Sequence, residues 1–141
     1  MINAPNELSY DDISIGQQES FMIKITASMV EKFSNLSGDL NPLHMDNEFA
    51  ESSSFKKRIV HGMLLASFFS QLIGMKLPGK NALYFSQTLN FRSPCYIDDE
   101  IEVVGEVIEK SDSTQIITVS TSIFNKSKTC LIDGIAKIIV R

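Results

Sequence analysis

"GMLLASFFSQLIGMKL", Gly62 to Leu77, is the most apolar stretch of the chain. Met63, Leu64, Leu65, Phe68, Phe69, Leu72, Ile73 and Met75 cover most of the girth of a helix. Only Ser67, Ser70, Gln71 and Gly74 interrupt them, at the spacing of one narrow stripe. The run has 16 residues and includes Lys76, so it falls short of a bilayer span, which takes roughly 20 apolar residues. A helix apolar on nearly every side must instead be enclosed by protein.

The residues that follow supply the enclosure. After the turn signal Pro78-Gly79 come four β-rich runs, "ALYFSQTLNFRSP", "DEIEVVGEVIEK", "TQIITVSTSIF" and "TCLIDGIAKIIVR". Pro94, Asp98-Asp99, Ser111-Asp112-Ser113 and Asn125-Lys126 separate them, spacings that suit antiparallel hairpins. Upstream, Phe21, Ile23 and Ile25 alternate with more polar neighbours, which predicts a strand over Ser20 to Thr26. Met29, Val30, Phe33 and Leu36 then recur at helical spacing and Gly38 supplies the stop. Asn47 is placed to cap a short helix, "NEFAES". A strand, helices and four long strands make an α+β domain, a hot-dog in which a curved antiparallel sheet grips one buried helix. The expected domain runs over residues 1–141.

Composition narrows the partners. With 43% hydrophobic and 21% charged residues the chain reads as an ordinary globular protein. Its net charge of −4 argues against nucleic acid or an anionic membrane as the main partner. The N-terminus shows no basic run followed by an apolar one, and Cys95 and Cys130 form no CxxC pair. The expectation is a cytoplasmic protein with two reduced thiols.

Ahead of the apolar helix lies "SGDLNPLHMD", Ser37 to Asp46, with neither a helical stripe nor an alternation. Pro42 restricts Asn41 to extended conformations and favours a bent, rigid loop that can turn Asp39 and His44 toward one point. Taken alone, the string also describes a turn with Asx hydrogen bonding. A metal loop is a further alternative, since Asp39, Asn41, His44 and Asp46 are all possible ligands. An EF-hand, however, needs a correctly placed glycine and a distal glutamate. Zinc favours clustered His and Cys, and the chain has two histidines. No metal and no cofactor are expected.

The loop, together with "IVHGMLLASFFSQLIG" and "LPGKNALYFSQTLNF", resembles the MaoC-like dehydratases, and among them the (R)-specific enoyl-CoA hydratases. Gly38, Asp39, Asn41, Pro42 and His44 match the family's first motif, and His61-Gly62 match the histidine-glycine at the helix start. The similarity runs from about Ser34 through Pro94, more loosely beyond. It implies reversible hydration of a trans-2-enoyl thioester, short to medium in chain length, to the (R)-3-hydroxyacyl thioester. Asp39 and His44 would be the catalytic pair, with Asn41 auxiliary near the water or the loop backbone. Gly62 would offer its N–H to the thioester oxygen, at a helix start where unpaired donors and the positive dipole end converge. Ser70 and Ile73 lie on one helix face and would meet the acyl tail; the alternative is that Ile73 is core and Ser70 bonds a backbone carbonyl. His61 is read as structural, and Lys56, Lys57 and Arg58 as a solvated loop rather than a phosphate site.

The resemblance leaves the carrier open between coenzyme A and acyl carrier protein, and implies a homodimer joined at sheet edges. Two other function classes fit the fold: an acyl-thioester hydrolase, and a non-catalytic acyl-thioester-binding module. The presence of both acid and base in the first motif favours the hydratase.

Overall fold

The alternating run before the first helix forms strand β1, Gln18–Lys24, beginning two residues earlier than its apolar pattern implied. The computed structural model describes residues 3–141. Helix α1, Ala27–Ser37, opens where the Thr26 side chain accepts a hydrogen bond from Met29 N–H. It closes at Gly38, whose φ of 80° is a left-handed conformation that costs a glycine nothing. Its inward face carries Val30, Phe33 and Ser34, whereas Leu36 points into solvent at 87% exposure, against expectation. Each step of three residues falls about 60° short of a full turn, so the drift from Val30 through Phe33 carries Leu36 off the inward face.

Two short helices follow, α2 at Pro42–Met45 and α3 at Asn47–Ser52. The cap of α3 is Asp46, not Asn47: its carboxylate accepts from Phe49 N–H at 3.1 Å. A carboxylate there also suits the positive end of the helix. The apolar run forms α4, Gly62–Gln71, and continues without a break into a π-helical turn at Leu72–Lys76.

The remaining strands are β2 (Ala82–Gln87), β3 (Asn90–Phe91), β4 (Glu100–Ser111), β5 (Ile116–Asn125) and β6 (Cys130–Val140). With β1 they build one antiparallel sheet in the order β1-β4-β5-β6-β2, with β3 also on β6. The expected single strand over "ALYFSQTLNFRSP" is therefore two. At the interruption the Thr88 carbonyl packs against Gly134 of β6, an approach that a Cβ there would block. Thr88 crosses that gap and holds β6 by its own N–H and Oγ1, each 2.9 Å from Ile135.

Alternation along β4 buries Ile101, Val103 and Val107 on the concave face, and β5 adds Ile117, Val119 and Ile123, with Thr118 also buried between the first two. This face wraps the central helix, giving the α+β hot-dog arrangement. The core divides into two clusters along that helix. Leu64, Leu65, Phe69 and Leu72 pack with Ile101, Val103, Ile123 and Ile132. Ile73 and Leu77 pack in the other cluster with Tyr10, Ile13, Val107, Ile117 and Ile138. Among the described residues, no helix is long and apolar enough to cross a membrane.

Candidate active site

The loop between α1 and α2 folds tightly on itself. Asp39 Oδ1 accepts from Asn41 N–H at 3.2 Å, and Asn41 Oδ1 accepts from Leu43 N–H at 3.0 Å. Asn41 is thus the N-cap of α2, with Pro42 in the first helical turn, where its missing N–H costs nothing. The side chain of Asn41 serves the loop backbone. The single turn of α2 then carries His44 back toward Asp39.

His44 is held from both ends. Its Nδ1 lies 2.8 Å from the Ile59 carbonyl, and Arg58 Nε donates to the His44 carbonyl at 2.6 Å. A carbonyl can only accept, so Nδ1 carries a proton. In the neutral ring Nε2 is then the bare nitrogen. Nε2 faces Asp39 Oδ2 at 3.9 Å, with the His44 side chain 15% exposed and that of Asp39 50%. That gap is too long for a direct hydrogen bond. A water about 2.8 Å from each atom would bridge it as the apex of a triangle.

Beneath the pair lies His61, 2% exposed, the residue preceding α4. Its ring stacks on that of His44, with centroids 3.9 Å apart and planes at 27°. Phe33 meets its edge at 5.0 Å. His61 Nε2 is 3.1 Å from the Asp39 carbonyl and 3.0 Å from Ser34 Oγ. Burial pushes its pKa below the usual histidine value; the bond to the Asp39 carbonyl opposes the shift and the nearby His44 adds to it.

Gly62 starts α4. The first helical bonds run from Leu64 and Leu65 N–H to the His61 carbonyl, so the Gly62 N–H precedes the internal ladder. Gly62 lines a groove of about 310 Å³ together with Phe55, Val60, Leu65, Phe91 and Pro94. A Cβ at Gly62 would lie 2.5 Å from the Phe91 ring, so only glycine fits without moving it. A second groove, about 350 Å³, follows the Met63–Ala66–Ser70 face of α4 between Phe33 and Tyr84. Ser70 lines it. Ile73, 1% exposed, does not, being buried in the second core cluster.

Lys56 and Lys57 are exposed, with Lys57 over the Tyr96 ring at 4.9 Å. Arg58 departs from the expected solvated loop by turning inward onto His44. Ser34, Arg58 and Ile59 are the contributors that sequence reasoning missed. The one hint was a serine beside Phe33 on the inward face of an amphipathic helix.

One donor atom from each of Asp39, His44 and His61 lies within 4.8 Å of the others, which invites comparison with a metal centre. His44 Nδ1 and His61 Nε2 are already engaged with carbonyls, however. Asp39 and His44 Nε2 remain as the accessible pair, since the bare His61 Nδ1 is shut away from solvent; that is fewer than the three protein ligands usual for catalytic zinc. The arrangement suits a polarised water better than a cation.

Comparisons with known proteins point to one family. The family model described as "MaoC like domain" matches residues 13–128. The chain is 39% identical over 127 residues to an (R)-specific enoyl-CoA hydratase of Aeromonas caviae, covering 90% of this chain and 95% of that one. It is 40% identical over 114 residues to a mitochondrial 3-hydroxyacyl-[acyl-carrier-protein] dehydratase of Arabidopsis thaliana, covering 79% and 68%. Among solved structures, an unliganded R-hydratase of Pseudomonas aeruginosa superposes with a TM-score of 0.92 at 33% identity, covering 96% of this chain and 87% of that one.

Proposed function

The chain belongs to the MaoC-like domain family, and from that premise we propose that it catalyses the reversible hydration of trans-2-enoyl thioesters to (R)-3-hydroxyacyl thioesters. One observation carries the reading: the bare Nε2 of His44 and the Asp39 carboxylate face each other across 3.9 Å. A water held between them is polarised from two sides. Its oxygen bonds to the β-carbon as the pair takes its proton, and the electron pair of the double bond moves onto the thioester oxygen. Gly62 N–H stabilises that oxygen, an interaction worth about 2.7–4 kcal/mol for one oxyanion donor. The proton returns to the α-carbon, so no cofactor is consumed.

The groove on the Met63–Ala66–Ser70 face takes the acyl tail, with Ser70 along its wall, and its volume of about 350 Å³ suits short to medium chains. The carrier is coenzyme A or acyl carrier protein; the names of the relatives include both. The working unit is a homodimer. Leu83 and Phe85 on edge strand β2 are 49% and 61% exposed, apolar surface that a second copy would cover. The two free thiols suit a reducing compartment such as the cytoplasm.

Incubation with crotonyl-CoA tests the chemistry, with loss of enoyl conjugation and release of free thiol followed separately. Loss of conjugation without thiol is the expected result. Thiol release would assign a thioesterase instead, and no change in either signal a binding module.

A further inference from the structure

His61 touches both halves of the reacting pair while being almost wholly withdrawn from solvent. Its tautomer follows from its neighbours. The Asp39 carbonyl can only accept, so Nε2 must carry the proton. Ser34 Oγ spends its own hydrogen on Met45 Sδ at 3.0 Å and thus offers His61 a lone pair. The Nε2–H is therefore shared between the Asp39 carbonyl and Ser34 Oγ. Nδ1 is buried and has no hydrogen-bond partner among the described residues. A second ring proton would have nothing to bond to, and the resulting cation would lie against His44. Asp39 and His44 are the titratable groups facing the ring.

We infer that His61 is a positioning residue that acts as a neutral Nε2–H imidazole. It fixes the backbone under the Asp39 carboxylate through one hydrogen bond, and the plane of the His44 ring through stacking. The inference rests on Asp39 and His44 being the reacting pair. The geometry explains why a histidine is buried with one nitrogen idle: a single planar side chain supplies both the donor and the stacking face. Phenylalanine would keep the face and lose the donor, whereas glutamine would keep a donor near the Nε2 position and lose the face.

The test separates these parts. His61→Phe should lower kcat for crotonyl-CoA by roughly tenfold to a hundredfold with KM within about twofold, because the pair loses alignment rather than substrate affinity. His61→Gln should recover part of that loss. In the His61→Phe/Asp39→Asn double variant the effects should be far from additive. A folded His61→Phe enzyme with wild-type kcat, or additive losses, would overturn the inference. If His61→Phe does not fold, ¹⁵N NMR of the wild-type imidazoles decides. A protonated Nε2 and bare Nδ1 on His61 throughout the active pH range support the inference; an Nδ1–H tautomer refutes it, since such a ring cannot donate to Asp39. Failure of the underlying reading looks different: Asp39→Asn alone would then retain turnover.

Discussion

The Ile59 carbonyl accepts a 2.8 Å hydrogen bond from His44 Nδ1, and so fixes the tautomer of a residue 15 positions earlier. The preceding side chain, Arg58, binds the His44 carbonyl at 2.6 Å, so one short segment grips the histidine by ring and by backbone. Arg58→Met should lower stability by about 1.5–3 kcal/mol, the usual range for a hydrogen bond with a charged partner. It should also lower kcat by roughly tenfold, with Arg58→Lys intermediate. Urea unfolding and steady-state kinetics check both; unchanged kcat would reduce Arg58 to a fold-stabilising role.

Asp39→Asn and His44→Gln should each cost about 10²–10⁴ in kcat while leaving the circular dichroism spectrum intact. The double variant should lose little more than either single one, because half of a water-activating pair has little left to remove. A folded single variant retaining more than about a tenth of wild-type turnover would contradict the assignment.

Gly62 makes two separable demands, for an available N–H and for space. Gly62→Ala should lose activity because its Cβ meets the Phe91 ring. Gly62→Pro should fall further in kcat, since it deletes the donor at a helix position that tolerates proline. Adding Phe91→Ala to Gly62→Ala tells the two apart. Recovery of activity would assign the loss to the displaced ring, and persistence of the loss to crowding of the thioester.

Ile73→Ala opens a void in the second core cluster, at the π-helical turn that continues α4. It should raise kcat/KM for eight-carbon relative to four-carbon enoyl-CoA, each added methylene gaining up to about 0.8 kcal/mol on burial. The same truncation should cost about 2–5 kcal/mol of stability. An unchanged substrate ratio in a folded variant would place the tail elsewhere.

The lowered pKa of His61 makes a prediction for stability against pH. The unfolded chain protonates this ring near the ordinary value of about 6.5, but the folded chain does so only at lower pH. Between those two values the unfolded state binds more protons, so stability is complete above about 6.5 and falls as the pH drops through the window. Denaturant titrations at a series of pH values should show this decline in the wild type and a shallower one in His61→Gln. Parallel curves would exclude His61 as the source.

Much of this architecture was legible because it is written in local periodicity. The girth of Gly62–Leu77 and the alternation of Ile101, Val103 and Val107 identify helix and strand without reference to partners. Asp39, His44 and Gly62 were legible because short motifs carry them. The cap of α3 was misread by one residue, because Asp46 and Asn47 have nearly equal capping chemistry and only the backbone chooses between them. At the split between β2 and β3, Thr88 packs on Gly134 and bonds Ile135, more than forty residues away, and no local pattern shows this. The contacts of Ser34, Arg58 and Ile59 with the two histidines arise only when separate loops converge, and periodicity does not record that.

Helix α4 and the π-helical turn that continues it pass from one packed cluster into the other, the first residue beside the reacting pair and Ile73 among Tyr10, Ile13 and Val107. A lineage can therefore resize the far cluster without disturbing the loop that holds Asp39 and His44. Divergence in acyl preference and constancy of chemistry would then be found at opposite ends of a single helix.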